Sequence, residues 1–508
     1  MITLNRRVRE CRQAMRHAEN YATWREAAAE LDRLEGRDRW QHEEASEDYD
    51  WRLIKSRLQE LRRCRAQGQT LRLLYHLRQG LHWNLANIGN PALYAHARVG
   101  TKKLVQDYLD EVVSALEFLC EAPVPGLSEA ERLRFFRETA QSYGRSALML
   151  SGGATLGLFH VGVVKALVLE DLLPQVISGS SAGAVVAATL GTRTPAELPD
   201  LLDPRQAYYH FWKPLKLREM WRRGLLMDQR QIRRAIAANV RDWTFEESYR
   251  TSGRIVNITV SPAGTNQPPR LLNYLTFPFL FLREAVLASC AVPLLFEPVL
   301  LMTRDEHGRR APYMPSLRWI DGSLKSDLPT LRLRRLYNVN HFIVSQTNPH
   351  ILPFLHTGAA RPNLIGLARD YVYSTVRESA RHLIGLGRLS LPVPRLRKTL
   401  DYASWILEQD YRGDITIHPK VTVWRYAHVT ANPQLDSVQR FIFEGERATW
   451  PRLAMIRNQT AIARTLERCL QRLEGGEESR PASAGARGVS ERTATPEGAP
   501  SLRLVRRR

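Results

Sequence analysis

Two glycine turns, each entered by a short apolar strand and left by a helix, constrain this chain more than any other feature. Leu148-Met149-Leu150 runs into Ser151-Gly152-Gly153; past Gly157 an amphipathic segment carries apolar residues at Leu158, Val161, Val164, Ala166, Leu167 and Leu169. Val176-Ile177-Ser178 then enters Gly179-Ser180-Ser181-Ala182-Gly183, and a helical pattern continues to Leu190. Strand, turn, helix, strand, turn, helix predicts a βαβ unit in a parallel sheet, hence an α/β fold.

The second turn has the Gly-x-Ser-x-Gly form of a nucleophile elbow. A sharp strand-to-helix turn holds its central residue in a strained conformation, and small neighbours at Gly179 and Gly183 let strand and helix approach. Ser181 Oγ then projects at a helix N-terminus, where free N–H groups favour developing negative charge. The bare pattern also fits a plain Gly/Ser-rich turn.

The first turn has two readings. A phosphate or dinucleotide loop needs glycines between strand and helix, but Gly152-Gly153-x-x-x-Gly157 is out of register with Gly-x-Gly-x-x-Gly, and no Gly-Lys-Ser/Thr follows. An oxyanion hole needs only backbone N–H groups facing an acyl centre, here those of Gly152, Gly153 and Ala154. A serine elbow on the adjoining strand favours the second.

These two blocks, followed by Ile320-Asp321-Gly322-Ser323, resemble the patatin-like phospholipase family. The resemblance extends to its intracellular triacylglycerol lipase branch in fungi and plants, through Tyr21-x-x-Trp24, the stretches from Leu53 and His82, Ser289-Cys290-Ala291-Val292-Pro293, and Tyr337 to His350. It implies a three-layer α/β/α sandwich with a mainly parallel central sheet, an α-helical N-terminal domain and a helical C-terminal extension. It also implies acyl-ester hydrolysis by a Ser-Asp dyad without a cofactor or metal. Ser181 would be the nucleophile, Asp321 the general base, and Gly152, Gly153 and Ala154 the oxyanion donors; Gly157, Gly179, Gly183, Gly322 and Ser323 complete the motifs. The third block departs mildly from the family, with Ser323 where Gly or Ala is usual.

Read without the resemblance, Asp321 at a strand end before glycine is also a common turn. A histidine triad stays open, with His160, His307, His341 and His350 available and the last two following Asp321 in chain order. Cys290 reads as a small apolar filler. His76, His82 and His96 read as structural, because their spacing puts no pair on one helical face.

Net charge is +21, carried mainly by arginine, without any nucleic-acid motif. Beside an acyl-hydrolase site this excess points to an anionic membrane or lipid-droplet surface rather than to nucleic acid. Five widely spaced cysteines without a CxxC pair suit a reducing compartment. The N-terminus has no secretory pattern, and no apolar run reaches the ~18 residues a span needs. The chain is therefore expected to be intracellular and cytoplasmic, associating peripherally with lipid.

The expected organisation is a helical domain over residues 1–140, a catalytic domain over 146–350, a mainly helical extension over 351–473 and a disordered basic tail over 474–508. The last helix is expected from Val438 to Leu473, and strands at Asp414–Ile417 and Val421–Val423. The aromatic and basic stretch from Tyr208 to Leu226 suits either a membrane interface or an amphipathic helix packed on the sheet. Phe277 to Leu282 suits either the core or an acyl pocket. The substrate expected is an acylglycerol, with a phospholipase A, a lysophospholipase or an acyltransferase as nearby alternatives. A lipid-surface binding protein with a vestigial elbow is the contrasting class.

Overall fold

The computed structural model describes residues 2–121, 127–201, 203–264, 267–349, 351–352, 412–420 and 429–478. At its centre is a seven-stranded sheet in the order β4-β3-β2-β1-β8-β9, with β7 added to β3. The strands are β1 Arg145–Leu150, β2 Val176–Gly179, β3 Ile255–Pro262, β4 Arg270–Leu272, β7 Trp319–Asp321, β8 Val339–Ser345 and β9 Ile415–Ile417; a hairpin of β5 Met302–Arg304 and β6 Arg310–Pro312 stands apart. The run from β3 to β9 is parallel, as the two glycine turns predict, while β4 and β7 are antiparallel.

Both faces of the sheet are covered, so its strands read as continuous apolar runs rather than as an alternation. Leu148, Leu150, Ile177, Ile258 and Ile343 face a large core shared with the helices Leu158–Leu169, Ala182–Gly191 and Leu282–Ser289. Ala147, Met149, Val176, Phe342 and Val344 face a smaller one closed by the helix Thr330–Tyr337. The result is a three-layer α/β/α sandwich. The larger core continues without a break into the N-terminal helices, through Leu104, Leu116 and Phe136, and into the C-terminal helix, through Ile456 and Leu466.

The topology brings the two ends of the site together. β3 pairs with β2 as far as Ile258–Gly179, and Ile258 also pairs with Leu272 of β4 on the opposite edge. Val260 pairs with both Arg270 of β4 and Asp321 of β7, so β7 lies on the edge that β2 has just left. Asp321 thus stands beyond the end of β2, where Ser181 begins the next helix.

The elbow needs its glycines for space. A Cβ on Gly179 would lie 2.3 Å from the carbonyl oxygen of Gly183, and one on Gly183 would lie 2.1 Å from that of Leu150. Backbone carbonyls in a sheet cannot retreat, so Gly183→Ala is expected to cost about 3 kcal/mol, read as a shift of the urea midpoint.

The C-terminal helix expected over Val438–Leu473 is two helices, Leu435–Thr449 and Leu453–Glu478, joined by a single 3-10 turn at Trp450-Pro451-Arg452. Pro451 lacks the N–H that would continue the first helix. The tail expected from 474 starts inside the second helix; residues 479–508, and the strand expected at Val421–Val423, lie outside the described residues. The stretch from Tyr208 to Leu226 is helical only over Leu217–Arg223, because Pro214 and Leu215 pair instead with Leu226 and Met227.

Candidate active site

Ser181 sits at φ 51° and ψ −117°, a conformation that residues with a Cβ avoid. Two contacts hold it there. Its N–H donates to Ser289 Oγ at 3.0 Å, and the N–H of Gly183 donates to the carbonyl of Ser180 at 2.8 Å. Ser180 Oγ is tied to Thr259 Oγ1 and donates to the carbonyl of Asp327 at 3.3 Å, which fixes the residue before Ser181.

Asp321 is almost wholly buried at the end of β7. Its Oδ1 accepts from Ser323 N–H at 2.8 Å, the Asx turn that Asp-Gly-Ser encodes, and Gly322 packs with no room for a side chain against the backbone of Thr259. Oδ2 has no aligned hydrogen bond among the described residues. The Ser181 hydroxyl is nevertheless close enough to favour the ionised carboxylate. Burial outweighs this and the Ser323 contacts, and it pushes the Asp321 carboxyl up to about 6. A buried carboxylate beside a strained serine, with one oxygen unbonded among the described residues, has the arrangement that a general base and a nucleophile need; such bonds are commonly loose until substrate binds.

The glycine turn lies across the elbow. A Cβ on Gly157 would meet that of Ala182 at 2.5 Å, so the two turns are in direct contact. Among the described residues nothing accepts from the N–H of Gly153 or of Ala154, and Ala154 sits at φ 51°. Gly152 differs from expectation: its N–H donates to Asp327 Oδ1 at 2.9 Å, so in this conformation it braces the turn instead of facing the cavity. A buried carboxylate outcompetes weaker acceptors for an N–H.

Asp327 is the functional candidate that the sequence reading missed. Its Oδ2 accepts from Asn348 Nδ2 at 2.5 Å, joining the loop that carries Asp321 to the end of β8 as well as to the glycine turn. Burial is the main reason its carboxyl is pushed up to about 7, with the Asp321 charge adding to the rise.

Among the described residues, none of the candidate histidines bonds to Ser181. His160 Nδ1 meets Ser345 Oγ at 2.7 Å and its Nε2 meets the Ser151 carbonyl at 2.9 Å. His341 meets Ser146 Oγ at 3.0 Å and Gln459 Oε1 at 2.8 Å, near the start of β8 and away from the elbow. Burial holds both rings neutral, down to about 4. His307 is exposed between β5 and β6, and His350 lies outside the described residues. His341→Ala is expected to leave ester hydrolysis within a few-fold of the native rate while costing about 3 kcal/mol of stability; parallel activity and urea measurements check this.

Beside Ser181 opens a cavity of about 230 Å³ with an almost wholly apolar wall. The wall includes Leu158, Val185, Val186, Phe211, Trp212, Ile232 and Leu295, with Ala154 and Ser181 at one end. Cys290 is part of the wall, its thiol directed at the Ser181 carbonyl at 3.4 Å and kept neutral by burial. Trp212 is pinned over the glycine turn, with its indole N–H donating to Thr155 Oγ1 at 2.9 Å. A dry cavity of ~150 Å³ already takes up benzene, so this one is large enough for a length of hydrocarbon.

A strained serine, a buried carboxylate and N–H groups with no acceptor among the described residues, set against an apolar cavity, are what acyl transfer from a carboxylic ester requires. Family models agree: "Patatin-like phospholipase" matches residues 148–334, and a domain of unknown function, DUF3336, matches residues 1–141. Triacylglycerol lipase ptl3 of Schizosaccharomyces pombe is 36% identical over 475 residues, covering 89% of this chain and 95% of that protein. Triacylglycerol lipase SDP1L of Arabidopsis thaliana and triacylglycerol lipase 4 of Saccharomyces cerevisiae are each 35% identical over 90% of this chain, which spans 58% and 52% of their lengths. The chain belongs to the patatin-like phospholipase family.

Proposed function

We propose that this protein hydrolyses acylglycerol esters at an anionic membrane or lipid-droplet surface through Ser181 and Asp321. The observation that carries the reading is the buried carboxylate of Asp321 beside the Ser181 hydroxyl, its Oδ2 without another aligned hydrogen bond among the described residues. Asp321 takes the proton of Ser181 Oγ as that oxygen attacks the ester carbonyl. The carbonyl oxygen becomes negative against the N–H groups of Gly153 and Ala154, and the positive end of the helix Ala182–Gly191 assists. Collapse releases the alcohol, which takes the proton from Asp321, and leaves the acyl group on Ser181. Water then attacks, giving its proton to Asp321, and the fatty acid departs as Ser181 recovers its hydrogen.

The apolar cavity supports a fatty acyl chain as the group transferred, and the names of the relatives support a triacylglycerol as the donor. The test is fatty-acid release from trioleoylglycerol emulsions and from phosphatidylcholine, phosphatidylglycerol and lysophospholipid dispersions. Release from trioleoylglycerol above the others is the expected result. Preferred release from a phospholipid would overturn the neutral-lipid assignment, and release from none would overturn the reading.

A further inference from the structure

Tyr209, Phe211 and Trp212 line the cavity, but the chain immediately after them leaves the body of the protein. Pro214 and Leu215 pair with Leu226 and Met227, and the latter two donate their N–H groups to the carbonyls of Leu294 and Leu295. These pairings close an arm whose tip is the short helix Leu217–Arg223, ended by Gly224 in the left-handed conformation; none of the seven residues of that helix is buried.

The arm has two features that a solvated loop lacks. The first is exposed apolar surface. Trp221 is 84% exposed, Leu217 72% and Leu226 44%, while Leu294, on the loop paired with the arm, is 64% exposed at φ 72°. Leu217 and Trp221 are four residues apart and share one face of the helix. Leu294 is held in a conformation that leucine avoids, with its side chain in solvent, while its neighbour Leu295 faces the cavity. The second feature is charge. Lys216, Arg218 and Arg222 have no acidic partner among the described residues, although most arginines of the N-terminal helices are paired.

We infer that this arm, together with Leu294, is the element that docks the protein on an anionic phospholipid surface. Leu217, Trp221, Leu226 and Leu294 enter the boundary of the acyl region, and Lys216, Arg218 and Arg222 meet headgroup phosphates. The same segment walls the cavity, so docking sets the mouth of the site against the lipid. The inference rests on the lipid-hydrolase reading for its purpose but not for its test.

The test is co-sedimentation of the full chain carrying Ser181→Ala with vesicles of phosphatidylcholine alone and of an equal mixture with phosphatidylglycerol. Preference for the mixed vesicles, weakened by salt, is expected. Trp221→Glu combined with Leu294→Glu should lower partitioning at least ~10-fold, as should Arg218→Glu combined with Arg222→Glu, the latter also erasing the preference for anionic lipid. With Ser181 intact, the same substitutions should leave turnover of a water-soluble p-nitrophenyl ester unchanged, which separates lost docking from a lost fold. Partitioning equal to that of the unsubstituted chain, or a patch that drives self-association without vesicle binding, would overturn the inference. Failure to turn over the water-soluble ester would count against the hydrolase reading alone.

Discussion

Replacing Ser181 with alanine is expected to lower ester hydrolysis by ~10^4-fold or more while leaving the fold intact, because the proposed reaction loses the atom that would carry the acyl group. The hydroxyl adds little to stability, since Ser181 is held by its backbone N–H on Ser289 and by the pairing around Gly183. The strain at φ 51° belongs to any residue with a Cβ, so alanine keeps it. Ser181→Gly is equally inactive but should be about 1 kcal/mol more stable than the alanine variant. Initial rates on a water-soluble ester, with urea unfolding of both variants, check the two statements. An alanine variant with native rates would remove Ser181 from the chemistry.

Asp321→Asn should cost ~10^3- to 10^4-fold in kcat, because the amide keeps the shape and cannot take the proton. The pH profile of the native enzyme carries the same information. A carboxylate acting as the proposed base works only when ionised, and burial lifts the Asp321 carboxyl to about 6. kcat/KM should therefore be level above that value and fall about tenfold per unit below it, rather than near the ~4 of an ordinary aspartate. Stability runs the opposite way. A carboxyl raised in the folded state above its unfolded value stabilises the protein when protonated, and this contribution disappears as pH rises from about 4 through 6. Asp321→Asn should flatten that part of the stability curve even as it lowers turnover. An acid limb that stays near 6 in the residual activity of the variant would assign the titration to another group. Asp327, lifted to about 7 and also buried, is the group to examine next.

The parts of the fold and site that were legible in the sequence are those where spacing is dictated by sterics. Gly179 and Gly183 are readable because strand, turn and helix meet at contact distances that admit no Cβ. The parallel order follows from the βαβ rhythm, and Asp321-Gly322-Ser323 is readable because its turn closes locally. Asp327 is not readable. Its partners are Gly152 and Asn348, and nothing in Ser326-Asp327-Leu328-Pro329 separates it from a turn aspartate. Ser289 stands out in the sequence only as part of the block Ser289–Pro293; that its hydroxyl accepts from the Ser181 N–H depends on the packing of two distant helix ends. The cavity wall is hidden for the same reason: Val429 and Pro433 come back from far along the chain, and the carbonyl of Val429 accepts from Thr155 N–H beside the glycine turn. The aromatic and basic stretch fits neither of its readings whole. One half lines the cavity and the other stands in solvent, a division set by the pairing of residues 214–215 with 226–227, which side-chain periodicity does not encode.

In the proposed reaction Ser181 carries the acyl group and Asp321 activates it. The most direct measurement is covalent trapping with an alkyl fluorophosphonate, located by mass spectrometry of the digested protein. One label is expected on the peptide holding Ser181, none after Ser181→Ala, and labelling slowed by ~10^3-fold after Asp321→Asn. A label on another residue, or full-speed labelling of Ser181 without the carboxylate, would contradict the proposed reaction.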